Sequence, residues 1–384
     1  MAHSTTSKKP EKPYKDFPLF PHDTKRWAKK IKGRFHYFGP WDDWRGALER
    51  YQYQVHYLQQ GKTPPPQNVD ALNIDTLVNK FLERKEQLVE TGRMSDRTFK
   101  DYKPTASRLV KVFGRYTTVE SLTPDDFDRL YKELSKTLKL VALAREITRV
   151  RAIFNYAHKN RKIPNPVNWG DSFAPISKRE LRIDRNKKPA KIFTLEELTA
   201  IYHAADAQMK TFILLGLNCG LGNSDIGLME LRHIDNGWLK YPRPKTACDR
   251  LCPLWRETID AINHNRQTSD PTSPYLFLTK YGNCWSKDIA DNPLSKEFAK
   301  LCKACGLHQK GRGFYSLRHQ FRTVADGIYD RVAIDLIMGH ADDSMGGNYR
   351  EWVDPKRLQA VVDHVYKWIK PMFRKPAKKK GGAK

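Results

Sequence analysis

The stretch Phe314-Tyr315-Ser316-Leu317-Arg318-His319 leads into a helix. Leu336-Ile337-Met338-Gly339-His340 comes after it, and Tyr349 stands nine residues beyond His340. Upstream, Trp238-Leu-Lys-Tyr241 and Arg250-Leu-Cys-Pro-Leu254 read as two strands of a hairpin. The loop between them, Pro242 to Asp249, carries Lys245 in Arg243-Pro-Lys245-Thr246. Further upstream, Thr194-Leu-Glu-Glu197 is a capping box, a hydroxyl and a carboxylate that satisfy each other's free N–H groups at a helix start. Thr211 to Leu217 is an apolar run at helix length. One mostly helical domain with a small hairpin is expected over 191–369, with Lys245, Arg318, His340 and Tyr349 as its chemically distinctive side chains.

The whole chain is strongly basic. It has 384 residues, 69 Lys+Arg against 43 Asp+Glu, and a formal net charge of +26. Such a balance points to a polyanionic partner, and double-stranded DNA is the expected one. At 39% hydrophobic and 11% aromatic residues, the chain can bury real cores and is no disordered polycation. No apolar run is long enough to span a bilayer, and the N-terminal stretch lacks an apolar signal region. No membrane partner and a cytoplasmic location, associated with the nucleoid in a bacterium, are expected.

Residues 1–14 read as a flexible basic arm. Over 15–60, two short β-type runs flank a turn at Lys32-Gly33, and a helix follows from about Trp44 to Gln60. A three-stranded sheet packed on one helix fits this segment. Its strands carry Lys25, Arg26, Lys29, Lys30, Lys32 and Arg34 among aromatics, a pattern suited to a strand ribbon lying in a DNA groove. The run Gly61-Lys-Thr-Pro-Pro-Pro66 reads as a stiff spacer. Four helices with short connections are expected over 70–165, with Thr123-Pro124-Asp125-Asp126 as a strong start. The last helix exposes Arg145 and Arg149, both assigned to DNA contact. Residues 166–190 read as a linker and 370–384 as a disordered basic tail. The expected fold class is therefore α+β, mostly α-helical.

All six cysteines lie in the C-terminal half and should be reduced thiols. Cys302-x-x-Cys305 near His308 has a zinc-like look, but Phe298, Leu301, Cys302 and Cys305 share helical spacing and read as packing residues. No metal and no cofactor are expected.

The ordered set Tyr315-x-x-Arg318-His319, Leu336-Ile-Met-Gly-His340 and Tyr349 resembles the tyrosine recombinases, also called the phage integrase family. Ser224-Asp-Ile-Gly-Leu-Met-Glu-Leu-Arg232 is similar to the helix before that family's hairpin. The resemblance covers Lys191 to Ile369 well. It extends loosely to a helical core-binding domain and an arm-binding sheet. It implies a site-specific DNA recombinase that cuts and rejoins DNA through a 3′-phosphotyrosyl link, serving a mobile element. Tyr349 would be the nucleophile and Lys245 the acid that protonates the leaving 5′-oxygen. Arg318 would clamp the non-bridging oxygens, because a guanidinium presents two aligned donors to an anion. His340 would hold a further phosphate oxygen.

Two positions depart from the family pattern. Tyr315 stands where the family has histidine, and Gly222 stands where its first catalytic arginine is expected. Three readings follow from Gly222. The protein is a catalytically degenerate DNA-binding relative; or another arginine among Arg243, Arg250 and Arg312 fills the place; or Gly222 and Asn223 bind phosphate through N–H groups at a helix start capped by Ser224. After Tyr349, a terminal helix carries an apolar stripe of Leu358, Val361, Val362, Val365, Trp368 and Ile369. In the resembled family such a helix often docks on a neighbouring protomer; the alternative is packing on its own domain. The resemblance thus implies a homotetramer on DNA joined through this helix, with an accessory DNA-bending or directionality factor as a possible further partner.

Overall fold

The computed structural model describes residues 9–64, 71–267, 270, 272–286, 292–342 and 344–374. Residues 1–8 of the expected arm, Pro65 and Pro66 of the spacer, and the tail from 375 lie outside the described residues. The chain divides into two compact units, Met1–Lys188 and Pro189–Lys384.

In the first unit, β1 (Phe20–His22), β2 (Arg26–Ile31) and β3 (Arg34–Pro40) form an antiparallel sheet in that order. The two-residue turn between β2 and β3 is Lys32-Gly33, with φ of 47° and 81°. Both residues are left-handed, as a tight hairpin with right-twisted strands requires. Helix α1 (Trp44–Gln60) starts at Asp43, whose carboxylate accepts from the Gly46 N–H. Phe17, Leu19, Trp27, Ile31, Phe38 and Ala47 are buried between sheet and helix.

Helices α2 (Ile74–Glu90), α3 (Asp96–Phe113), α4 (Pro124–Thr137) and α5 (Leu140–Lys159) build the bundle. They pack around Phe81, Leu109, Phe113, Phe127, Ile147 and Phe154. The stretch expected as a linker over 166–190 differs. Phe173 is fully buried in the bundle core, with the Trp169 ring stacked on it at 5.9 Å, and Ser177 caps α6 (Lys178–Asn186). Fully burying one such ring stabilises by about 1.5–3 kcal/mol, enough to order this short segment against its prolines and lysines. The sheet module also touches the bundle. Tyr57 Oη lies 2.7 Å from Ser121 Oγ, and Lys62 pairs with Asp126 at 3.3 Å. The spacer therefore begins with a tethered residue.

The second unit is built on α7 (Leu195–Ala204) and α8 (Ala207–Asn218). Thr194 and Glu197 close the capping box at the start of α7. Almost every side chain of α8 from Thr211 onward is buried. A one-turn helix α9 (Asn223–Gly227) follows, then a sheet of β4 (Ile234–Asp235), β5 (Trp238–Lys240) and β6 (Leu251–Pro253). Asn218, buried at the end of α8, donates to the Pro253 carbonyl and accepts from the Trp255 N–H, tying helix to sheet. Helices α10 (Arg256–Asn265), α11 (Pro293–Ala304), α12 (Ser316–Ala325), α13 (Arg331–Met338), α14 (Met345–Asn348) and α15 (Pro355–Ile369) complete it. Cys302 is buried in α11, as its helical spacing predicts.

The terminal helix corrects an expectation. Leu358, Val361, Val362, Val365 and Ile369 of α15 are buried in their own unit's core, so this stripe is not free to dock on another protomer. Trp255 Nε1 donates to the Val362 carbonyl and Tyr366 Oη to Glu257 at 2.6 Å, fixing the helix from the side. Residues 370–373, expected in the disordered tail, form a turn with Met372 fully buried. No helix among the described residues is long and apolar enough to cross a membrane.

Candidate active site

The site forms where the C-terminus of α13 meets the first turn of α12 and the hairpin. A helix C-terminus leaves carbonyls without intrahelical partners and carries partial negative charge, so it attracts cations. Here those carbonyls collect arginines. Arg318 Nη2 donates to the Met338 oxygen at 2.8 Å, and Arg250 Nη2 approaches the same oxygen at 3.5 Å. The Gly339 oxygen accepts from Arg243 at 3.4 Å and from the Thr246 hydroxyl at 3.2 Å. Gly339 ends α13 with φ 63°, and a Cβ there would lie 2.9 Å from Arg243 Cβ and 3.2 Å from Arg250 Nε. Only glycine lets the three arginines close on this turn.

Arg318 is buried on α12, and its Nη1 donates to the Gly220 carbonyl at 2.6 Å. Gly220 has φ 60°, and a Cβ there would meet the Phe321 ring at 2.9 Å, so this carbonyl too is placed by a glycine. Burial, then the nearby Arg243 and Arg250, lowers the Arg318 pKa to about 10, which leaves it cationic at neutral pH.

His340 Nε2 lies 2.8 Å from Arg318 Nη2, and its Nδ1 lies 3.0 Å from Asp335 Oδ1. Arginine only donates, so Nε2 accepts and the proton sits on Nδ1, directed at Asp335. Burial, then Arg318 and Arg243, pulls the imidazole pKa down against the opposing pull of Asp335. His340 is therefore neutral at pH 7. Burial alone would raise the Asp335 pKa, but hydrogen bonds from His340, Arg322 and Arg331 outweigh it and keep the carboxyl ionised.

Lys245 is exposed on the 242–249 loop and has no hydrogen bond among the described residues. Its neighbours Arg243 and Thr246 pin the loop to Gly339. Tyr349 follows α14, is 79% exposed, and its hydroxyl has no hydrogen bond among the described residues. Arg350 pairs with Asp342 at 2.8 Å and so closes this segment beside His340. Tyr315 is 46% exposed at the start of α12, its ring edge-on to His319. Arg318 and His340 are thus joined directly, whereas Lys245, Tyr315 and Tyr349 stay outside that hydrogen-bonded set.

The expected cradle at Gly222 and Asn223 is not free. Gly222, not Ser224, is the residue that precedes α9; its N–H donates to Asp225 Oδ2 at 3.0 Å. Asn223 Nδ2 donates to Ser295 at 2.8 Å. Local capping by Asp225 consumes the Gly222 N–H, and Ser295 of α11 takes the Asn223 amide. Of the three arginines weighed as substitutes, Arg312 is committed elsewhere, forked onto Glu197 at 2.8 and 2.9 Å. Arg243 and Arg250 reach the site. Sequence reasoning missed Asp335, which fixes the His340 tautomer, and Asp225, which faces Arg250; a carboxylate five residues before His340, in the last turns of the helix that Gly339 ends, was the available signal.

In the first unit, the solvent face of the sheet gathers Phe20, His22, Phe35 and Tyr37, with Arg26 over Tyr37 at 4.6 Å and Lys30 over Phe35 at 5.7 Å. Lys25, Lys32 and Arg34 are exposed around it, and Lys29 is half-buried. On α5, Arg145 is exposed, but Arg149 pairs with Asp101 at 2.9 Å and Glu146 at 3.3 Å. These two ion pairs hold Arg149 within the bundle.

Residues 191–354 match the phage integrase family. A tyrosine recombinase of Pseudothermotoga lettingae is 25% identical over 294 residues, 72% of this chain and 94% of that protein. The fold is similar to a lambda integrase tetramer bound to a Holliday junction, with TM-score 0.55 at 16% identity over 88% of this chain and 98% of that one. It is similar also to the Tn1549 transposon integrase in complex with a circular intermediate DNA, with TM-score 0.56 at 17% identity over 76% of this chain and 99% of that one. The matched phage integrase domain thus spans the Arg318, His340 and Tyr349 motifs, and the chain is similar to a tyrosine recombinase over most of that relative's length.

Proposed function

We propose that the protein is a site-specific DNA strand transferase, an integrase serving a mobile element. The observation that carries this reading is the convergence of Arg318, Arg243, Arg250 and neutral His340 on the last carbonyls of α13, beside a segment that leaves Tyr349 free. Arginines gathered at one buried point form a preorganised receptor for an anion. Tyr349 Oη, open to solvent, gives its proton to water and attacks the scissile phosphorus. The new O–P bond forms as the bond to the 5′-oxygen breaks, and Lys245 gives that oxygen its proton. Arg318 holds a non-bridging oxygen, and His340, accepting from Arg318 at Nε2, orients that guanidinium toward the phosphate. Tyr315 borders the phosphate on the open side.

In this reading residues 15–60 bind arm-type DNA, 70–165 grip the core site, and 191–369 perform catalysis. Assembly as a homotetramer on two duplexes is supported by the lambda integrase tetramer on a Holliday junction. An accessory bending or directionality factor belongs to the same proposal. The rival reading, a silent DNA-binding relative, draws on Gly222 alone, which offers neither side chain nor free N–H. Incubation with nicked duplexes selected from random DNA separates the two. A covalent protein–DNA adduct that Tyr349→Phe abolishes supports strand transfer, and DNA binding with no adduct supports the rival.

A further inference from the structure

Arg250 stands just before β6, 2% exposed, with its side chain wholly buried. Among the described residues only Nη2 has hydrogen-bond partners, and both are distant: Asp225 Oδ2 at 3.4 Å and the Met338 oxygen at 3.5 Å. Nε and Nη1 are buried with no hydrogen-bond partner among the described residues. A buried guanidinium with empty donors is costly, because the lost hydration is not replaced. Asp225 compensates weakly, since the same Oδ2 already accepts the Gly222 N–H at 3.0 Å. Beneath Arg250 lies the Tyr241 ring at 5.5 Å, whose buried hydroxyl also lacks a partner. Arg312, by contrast, spends both Nη groups on Glu197 and leaves only Nε without a partner among the described residues.

We infer that Arg250 is a catalytic, phosphate-binding residue, supplying from the hairpin the second guanidinium that Gly222 cannot supply from α9. Arg250 and Arg318 meet on one oxygen, Met338 O, so an anion that displaces that contact for one is within reach of the other. Asp225 holds the idle guanidinium and Gly222 in register, and Gly222, lacking a side chain, leaves room before the Tyr315 ring, which a Cβ would meet at 3.2 Å. The inference rests on the proposed strand transfer for its chemistry, but not for its test.

The test is a double-substitution cycle. Duplexes selected from random DNA by the full chain are resynthesised with a neutral methylphosphonate at each core position in turn. Wild type and Arg250→Ala are compared in Kd and in covalent adduct formation. On all-phosphate DNA, Arg250→Ala should weaken binding about tenfold and slow adduct formation about a hundredfold, the range for losing a charge-assisted hydrogen bond. With the methylphosphonate at one position, the two proteins should become nearly equal, since no charge remains to clamp. Equal losses on every duplex would make Arg250 structural and overturn the inference, as would no loss at all. If wild type forms no adduct, strand transfer fails while the binding cycle still decides Arg250: coupling of about tenfold at one phosphate supports it, and additivity at all positions overturns it. Should Arg250→Ala not fold, Arg250→Lys, which keeps charge and bulk but lacks the fork, is put through the same cycle under the same criteria.

Discussion

Arg318 Nη2 donates to His340 Nε2 at 2.8 Å, while His340 Nδ1 donates to Asp335 at 3.0 Å. A carboxylate thus sets which imidazole nitrogen faces the arginine. Asp335→Asn keeps the shape but can direct its amide hydrogens at Nδ1, moving the ring proton to Nε2 and opposing Arg318. Loss of a charge-assisted hydrogen bond predicts adduct formation slowed about ten- to a hundredfold with DNA affinity unchanged. Single-turnover cleavage and filter binding check this.

Gly222→Arg introduces a guanidinium beside Asp225, where Arg250 already sits, and a Cβ 3.2 Å from the Tyr315 ring. The single substitution should slow cleavage about tenfold by crowding the site. In an Arg250→Ala background the same substitution should raise cleavage, because it restores the missing charge. Rates of the two singles and the double reveal this change of sign.

Much of this architecture was legible in local pattern. The Lys32-Gly33 turn, the Thr194 box and the spacing from Arg318 to Tyr349 are short-range signals, and each locates its element. What stayed hidden depends on partners far apart in sequence. Trp169 and Phe173 join the bundle core from a stretch whose prolines and lysines read as linker. Arg149 is neutralised by Asp101, 48 residues away. The stripe on α15 is apolar whichever partner covers it, and only the fold shows that its own unit does. Arg250 reads in sequence as one of three arginines that could fill the place of Gly222, and only the fold brings it to the end of α13 while committing Arg312 to Glu197.

The solvent face of the N-terminal sheet and the α5 arginines should separate in salt dependence. Arg26→Ala and Lys30→Ala should each lower the slope of log K against log salt by about 0.9, if each neutralises one phosphate. Arg149→Ala should leave the slope unchanged and instead destabilise folding by about 1 kcal/mol, since Glu146 keeps only Arg108 as a cationic partner. Binding titrations across salt and urea unfolding give the two readouts.

His56 on α1 lies 3.4 Å from Arg129 on α4 and 2.7 Å from Gln60. Burial first, then Arg129, lowers its pKa from 6.5 to about 4. A folded-state pKa below the unfolded one means the neutral form is favoured by folding. Its contribution is therefore complete above about pH 6.5 and is lost as pH falls toward 4. His56→Gln, which cannot titrate, should flatten the stability difference across that window in urea titrations at stepped pH.

The account turns on Tyr349, the free hydroxyl nine residues after His340. Tyr366, the other tyrosine of the C-terminal segment, is bound to Glu257, which together with burial pushes its pKa up to about 12, so it is no substitute nucleophile. The decisive measurement is peptide mapping of the adduct formed on a nicked, selected duplex by wild type and Tyr349→Phe. A 3′-phosphate linked to Tyr349 in wild type, and no adduct with undiminished DNA affinity in Tyr349→Phe, is the predicted result. An adduct on another residue, or none from wild type on DNA that it binds, would contradict it.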